Sequence, residues 1–146
     1  MDYRRYHDDD LASVVDTFLA AFSGEPWNDR WPSREHLRTY LLEIVSMPTF
    51  RWYVVGDGNA VIGASLGHLR SWWEGTECLI DEFFVSPRFQ GGGIGSALLD
   101  HVKRELKKEG VSALVLLTKR DCPAEQFYLR HGFEDDESLV FMSCRL

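Results

Sequence analysis

The apolar positions of this chain change period along its length, and the changes mark the elements. Residues 2–7 are short and polar and read as a first strand. Leu11, Val14, Val15, Phe18, Leu19 and Phe22 then recur at the spacing that places them on one helix face. Asp8, Asp9 and Asp10 precede that face, where negative charge suits the helix dipole, and Gly24 follows it. Glu25 to Pro32 (EPWNDRWP) carries two prolines and two tryptophans and reads as a loop. Leu37, Tyr40, Leu41, Ile44 and Val45 trace a second helix, with Ser33 placed to cap it and Pro48 to close it. The period then drops to two. Residues 50–56 and 60–69 are predicted strands joined by Asp57-Gly58-Asn59, a hairpin signal. A polar loop from Arg70 to Gly75 leads to a strand from about Thr76 to Val85, which Pro87 ends. Ile94, Leu98, Leu99, Val102 and Leu106 make a third helix face, closed by Gly110. Ala113 to Leu117 is an apolar strand. Pro123 opens a short helix bearing Phe127 and Tyr128, Gly132 breaks it, and Leu139 to Arg145 is the last predicted strand.

The predicted order, β-α-α-β-β-β-α-β-α-β, describes an α/β protein with a sheet of mixed direction. Three antiparallel strands come before the third helix. The strand after it, joined by a right-handed crossover, is expected to run parallel to the one before. No repeat, low-complexity tract or linker interrupts the pattern, so residues 1–146 are expected to form a single domain. A formal charge of −7 argues against nucleic acid as the main partner. No apolar run is long enough to span a bilayer, which argues against a membrane role. MDYRRYHDDD has no apolar segment of the secretory kind. Cys78, Cys122 and Cys144 are scattered and odd in number, which suits free thiols in a reducing, cytoplasmic setting, and neither they nor the five histidines show metal-binding spacing. The oligomeric state is open, a homodimer included.

Chemistry concentrates at the start of the third helix. Gly91, Gly92, Gly93 and Gly95 occupy four of five positions, a large entropic cost unless a ligand approaches the backbone. Bare N–H groups at a helix N-terminus suit an anion, phosphate above all. No Gly-Lys-Ser or Gly-Lys-Thr follows, so this is not a P-loop, and Ser96 stands where the dinucleotide fingerprint needs glycine or alanine. Gly63-Ala64-Ser65-Leu66-Gly67 fits the hydrolase pattern G-x-S-x-G. It lies inside a predicted strand with no helix after it, which excludes a nucleophile elbow.

Gln90-Gly91-Gly92-Gly93-Ile94-Gly95 does match Gln/Arg-x-x-Gly-x-Gly/Ala, directly after a strand ending Val85-Ser86-Pro87. Ala124 to Phe133 (AEQFYLRHGF) matches a second signature, an aromatic-tyrosine pair followed by Gly-Phe. In both, the chain resembles the Gcn5-related N-acetyltransferases, the GNAT superfamily, over nearly its full length. The resemblance implies a GNAT-like acyl-CoA N-acyltransferase fold: a mixed, mostly antiparallel sheet flanked by helices, with a central parallel strand pair that splays. It implies acetyl-CoA as co-substrate and no metal. The main chain of Phe83, Phe84 and Val85 would line the acetyl-pantetheine, and Gln90, Gly91, Gly92, Gly93, Ile94, Gly95 and Ser96 would hold the pyrophosphate. Thr118 and Cys122 lie where the family contacts the pantetheine from the next strand and loop; the family's frequent asparagine ahead of the short helix is absent here. Arg88, Lys119 and Arg120 are cations available to the CoA phosphates.

Acetyl transfer to an amine needs a base for the amine proton, dipoles for the oxyanion and an acid for the leaving thiolate. Asp81, Glu82 or a water chain can supply the base. Consecutive strand residues point to opposite faces, so one of the two acids is expected to face the acceptor. Family members often carry an acid at the Glu82 place, which favours Glu82. By the same resemblance Tyr128 is the acid, its reference pKa of about 10 lying near that of a thiol at about 8.5. The Glu25-Pro26-Trp27-Asn28 loop, the Asp81-Glu82 strand and Thr118-Lys119-Arg120 are similar to members grouped with aminoglycoside 6′-N-acetyltransferases. That implies a small cationic amine as acceptor, aminoglycoside-like or polyamine-like, met by Trp27, Asp81 and Trp72, with Glu25, Asp29, Trp73 and Glu74 adding acidic and aromatic surface. The tryptophans equally suit a role in covering the core. A protein or peptide N-terminus is an alternative acceptor, and an acyl-CoA-sensing module without turnover is an alternative of a different class.

Overall fold

A computed structural model describes all 146 residues. Its sheet has five strands in the order β1-β2-β3-β4-β5. These are β1 (Asp2–Arg5), β2 (Phe50–Asp57), β3 (Ala60–Trp72), β4 (Gly75–Val85) and β5 (Ala113–Val115). The first four pair antiparallel, and β5 runs parallel to β4. Four helices cover the sheet: α1 (Leu11–Phe22), α2 (Arg34–Val45), α3 (Ile94–Lys108) and α4 (Pro123–Arg130).

Two cores lie on opposite faces of the sheet. α1 and α2 pack Val14, Phe18, Leu37 and Leu41 onto Trp52, Val54, Leu66 and Phe84. α3 packs Leu98, Val102 and Leu106 onto Tyr53, Val55, Ile62 and Cys78. Trp52-Tyr53-Val54-Val55 therefore supplies both cores by simple alternation, as expected of a strand covered on both faces. Local capping follows the sequence. Ser33 Oγ accepts the His36 N–H at 3.0 Å at the start of α2, and Asp10 accepts the His7 N–H at 2.8 Å ahead of α1. Ser13 and Thr17, one turn apart on α1, take the main-chain N–H and C=O of Val61 at 2.7 and 2.6 Å and clamp α1 to β3.

Three expectations need correction. Arg70 to Gly75 is not a polar loop: β3 runs on to Trp72 and β4 begins at Gly75, leaving Trp73 and Glu74 as a two-residue hairpin turn. Polar residues extend an antiparallel ribbon beyond the core because its ladder, not its side chains, satisfies the backbone. The strand predicted to Leu117 stops at Val115, since Leu116 and Leu117 leave β4. Leu139 to Arg145 does not form a strand. It carries no regular secondary structure and has no ladder partner in its own molecule.

β3 and β4 approach closely where their register shifts, at Leu66/Gly67. A Cβ on Gly67 would lie 2.7 Å from the Leu79 carbonyl oxygen and 3.1 Å from Cys78 Sγ. This is the use of the G-x-S-x-G glycines; Ser65 between them is buried within β3. Gly67→Ala is expected to lower stability by about 1–3 kcal/mol, read from the denaturant midpoint. Gly24→Ala, which meets nothing within 4 Å, is the control and should stay within about 0.5 kcal/mol of the parent.

Candidate active site

The site begins with a strand that is only half paired. β4 follows β3 along its whole length, but it meets β5 at three residues, Glu77, Cys78 and Leu79. Beyond Leu79 the two chains diverge, and a cleft of about 160 Å³ opens between Ile80–Phe83 on one side and Leu116–Thr118 on the other. Tyr128 and Ala124 of α4 close one end; Phe22, Trp27 and Asp29 close the other. A larger groove of about 600 Å³ lies elsewhere, between α3, β5 and the turn after α4, and holds none of the predicted catalytic residues.

A β-bulge sets the direction of the two acids. Ile80 opposes Gly67 and Glu82 opposes Leu66, so Asp81 is an extra residue with no partner on β3. An unpaired bulge residue breaks the strict alternation of side chains. As a result Asp81 and Glu82 both line the cleft, against the expectation that only one of them faces it.

Their partners divide their roles. Glu82 Oε1 accepts the Tyr40 hydroxyl at 2.8 Å. Burial pushes its pKa up to about 7, Asp81 and Asp29 add to the rise, and the Tyr40 bond works against it. Asp81 Oδ2 instead lies 2.8 Å from His68 Nδ1, so one of its oxygens is engaged. Tyr128 is buried, with its ring edge-on to Phe83 and Phe127. Burial first, and then the Glu82 charge, raises its pKa well above that of free tyrosine. The phenol therefore stays protonated at neutral pH.

The glycine turn is built as the sequence implied. Gly91 and Gly93 have φ of 79° and 84°, conformations that favour glycine, and a Cβ at either would meet nothing within 4 Å. Gly93 is the N-cap of α3 and no side chain caps it, so the first N–H groups of a 15-residue helix are free for a ligand. Gln90 does not point toward that turn. Its Nε2 donates to the Val85 carbonyl at 3.0 Å and ties the turn to the end of β4. Ser96 Oγ lies 2.9 Å from His131 Nε2, linking α3 to α4, and Gly95 packs against Phe127 and Val85.

Other expected residues fall in different places. Phe83 faces α4, whereas Phe84 and Val85 are buried, with Phe84 set against Phe18 and Phe22. Thr118 and Trp27 line the cleft. The Trp27 loop is held by main-chain bonds from Asn28 to Gly24 at 2.8 Å and from Asp29 to Phe22 at 2.9 Å. Cys122 is buried at the start of α4, its thiol 2.9 Å from the Lys119 carbonyl. Trp72 stands at the β3–β4 hairpin tip, half exposed beneath Arg70, and is not part of the cleft wall. Tyr40 and His68, which hold Glu82 and Asp81, do not stand out in the sequence: Tyr40 reads only as an inward helix position and His68 only as a strand residue, because the contacts of both cross between elements.

A family model described as the Acetyltransferase (GNAT) family matches residues 11–133. A curated relative, an IAA acetyltransferase of Azospirillum brasilense, is 30% identical over 95 residues, which is 64% of this chain and 61% of that protein. The chain thus spans less than two thirds of that relative's length. Among solved structures, a "possible acetyltransferase" from Clostridium difficile 630 superposes with a TM-score of 0.84 at 13% identity, covering 99% of this chain and 97% of that one. AAC(6′)-Iy, in complex with the bisubstrate analog CoA-S-monomethyl-acetylneamine, superposes with a TM-score of 0.74 at 19% identity, covering 99% and 98%. At these identities the structural likeness is one of fold.

The raised Glu82 pKa has a defined sign in stability. An unfolded glutamate ionises near 4.5 and this one near 7, so ionisation opposes folding. The opposition grows as pH rises from about 4.5 to 7 and is complete above 7. Glu82→Gln is expected to melt higher than the parent at pH 8 and to lose most of that advantage at pH 5. A difference independent of pH would contradict the assignment.

Proposed function

The chain belongs to the acetyltransferase (GNAT) family, and from that premise we propose that it is an acetyl-CoA-dependent N-acetyltransferase acting on a small cationic amine by direct attack. One observation carries the proposal: Glu82 and Tyr128 converge on a cleft where the edge of β4 is free, and that same strand leads into the uncapped N-terminus of α3. A non-catalytic acyl-CoA sensor would need the glycine turn but neither of those two groups.

The residues present fit acetyl-CoA. The free N–H groups at Gly93–Ser96 suit its pyrophosphate, and the unpaired edge of β4 from Ile80 to Val85 offers main-chain donors and acceptors to the pantetheine amides. When bound, it supplies the activated acetyl group. Glu82, with a pKa near 7, accepts a proton from the amine nitrogen directly or through one water. Attack of the neutral amine would form the N–C bond as the C–S bond breaks; Tyr128 Oη gives its proton to the departing sulfur, and the remaining extra proton on nitrogen passes to the Tyr128 phenolate or to solvent. Solvent returns Glu82 and Tyr128 to their starting states. The two groups are coupled: once Glu82 has taken the amine proton, its share of the rise in Tyr128's pKa is removed while the larger share from burial stays, so Tyr128 becomes a better donor than before.

The acceptor class rests on charge and shape. Asp29, Asp81 and Glu82 surround a cleft walled by Phe22 and Trp27, a setting that attracts a cationic amine and holds its apolar parts. The likeness to AAC(6′)-Iy, which is bound to a CoA–acetylneamine analog, agrees with an aminoglycoside-like acceptor. A polyamine offers the same chemistry.

The test is thiol release from acetyl-CoA with aminoglycosides, polyamines, amino acids and short peptides as acceptors. Turnover with polycationic amines is expected; turnover with peptides alone would overturn the acceptor class, and acetyl-CoA binding without turnover would favour the sensor. With an active acceptor, Glu82→Gln should reduce kcat/KM by about 10²–10⁴-fold and abolish the acid limb near pH 7. Tyr40→Phe removes the bond that lowers Glu82's pKa, so that limb should move to higher pH. Tyr128→Phe should lower kcat by about 10²-fold or more while acetyl-CoA binding, read by thermal shift, is retained.

A further inference from the structure

We propose that His131 is a positioning residue. Through the Ser96 hydroxyl it fixes the helix that carries Tyr128 to the start of α3, and so sets where Tyr128 Oη stands relative to a thioester whose phosphates are held at the glycine turn. The inference rests on the reading of Tyr128 as the acid for the leaving thiolate.

α4 is eight residues long, too short to hold its own place, so its position is set by contacts. His131 follows its last residue and supplies them. Ring Nδ1 lies 2.6 Å from the Phe127 carbonyl and ring Nε2 lies 2.9 Å from Ser96 Oγ. The His131 N–H donates to the Tyr128 carbonyl at 3.0 Å, and the His131 carbonyl accepts from Lys103 Nζ of α3. A carbonyl oxygen only accepts, so Nδ1 carries the hydrogen. In the neutral ring Nε2 then keeps its lone pair, and the Ser96 hydroxyl is the donor. The imidazole is thus a bridge with a fixed direction, running from the main chain of α4 to the first turn of α3.

A second contact lies beside the first. The His131 ring packs on Phe127 with centroids 4.3 Å apart, and a Cβ on Gly95 would lie 3.6 Å from the Phe127 ring. Gly95 and Ser96, neighbours in the first turn of α3, therefore meet Phe127 and His131, one turn apart on α4. The same first turn of α3 holds the free N–H groups. The anchor for the phosphates and the helix bearing the acid share one joint. Neither His131 nor Ser96 lines the cleft, so their influence on the transfer step passes through Tyr128. The sulfur stands at the far end of a long ligand, and a small error between its anchor and the proton donor is costly in rate.

The test uses the full chain, acetyl-CoA and an amine it acetylates. His131→Asn keeps a donor for the Phe127 carbonyl but is too short to reach Ser96; His131→Gln places an acceptor near the position of Nε2. The asparagine variant is expected to lose about tenfold in kcat with KM for acetyl-CoA within about threefold of the parent, and the glutamine variant to recover most of that loss. Ser96→Ala should add nothing to His131→Asn, since both cut one bond. In a Tyr128→Phe background His131→Asn should cost no further kcat. A full additional loss there overturns the inference alone, as does a glutamine variant no better than asparagine. A Tyr128→Phe chain as active as the parent overturns the reading of Tyr128 as the acid, and this inference with it. Imidazole ¹⁵N spectra need no acceptor: hydrogen on Nδ1 and a bare Nε2 whose resonance moves in Ser96→Ala are expected, and hydrogen on Nε2 with a bare Nδ1 overturns the bridge.

Discussion

The structure depends on one strand having a partner on one side only beyond Leu79. β4 is held along its length by β3, yet by β5 at only three residues. Buried backbone donors and acceptors without partners are costly, so a gap of this kind between neighbouring strands persists only where a ligand or water takes the place of the ladder. A pantetheine arm, with its amide groups, has the right chemistry to do so. The remaining elements hold that gap open. α1 and α2 fix β3 and β4 from one face, α3 fixes them from the other, and α4 reaches across to present Tyr128.

The bulge at Asp81 brings two carboxylates into this gap. Without an extra residue, the side chains of β4 would alternate strictly and one acid would face away from the cleft. With it, Asp81 and Glu82 share the space, and each is held by a different partner: His68 for one, Tyr40 for the other. The pairing gives adjacent carboxylates unlike surroundings. Glu82 is buried and lies near two other acids, so its proton affinity rises. Gly67 is the counterpart of the bulge, because only a residue without Cβ allows β3 to lie this close to the Leu79 carbonyl.

Both ends of the sheet are short edge strands with a partner on one side only, β1 of four residues and β5 of three. The most apolar exposed stretch of the chain, Leu139–Met142, lies beyond α4 and outside the sheet. Edge strands of this kind pair with whatever strand is available, which is why proteins cover them or use them for assembly.

The sequence by itself determined most of the elements and the family, because both depend on neighbours in the chain. Helix faces at Leu11–Phe22 and Leu37–Val45, the Ser33 cap, the glycine turn at 91–95 and the parallel crossover to Ala113 all follow from spacing, capping and local φ preference. The two family signatures rest on local residues too. What the tertiary structure alone decided are contacts between elements distant in sequence. These include the bulge that aims both acids inward, the Tyr40 and His68 bonds that distinguish them, the early departure of Leu116 from β4, the removal of Trp72 from the cleft and the absence of a partner for Leu139–Arg145. An apolar, β-branched run states that a segment prefers to be a strand. Only the arrangement of the whole sheet decides whether a free edge is within its reach.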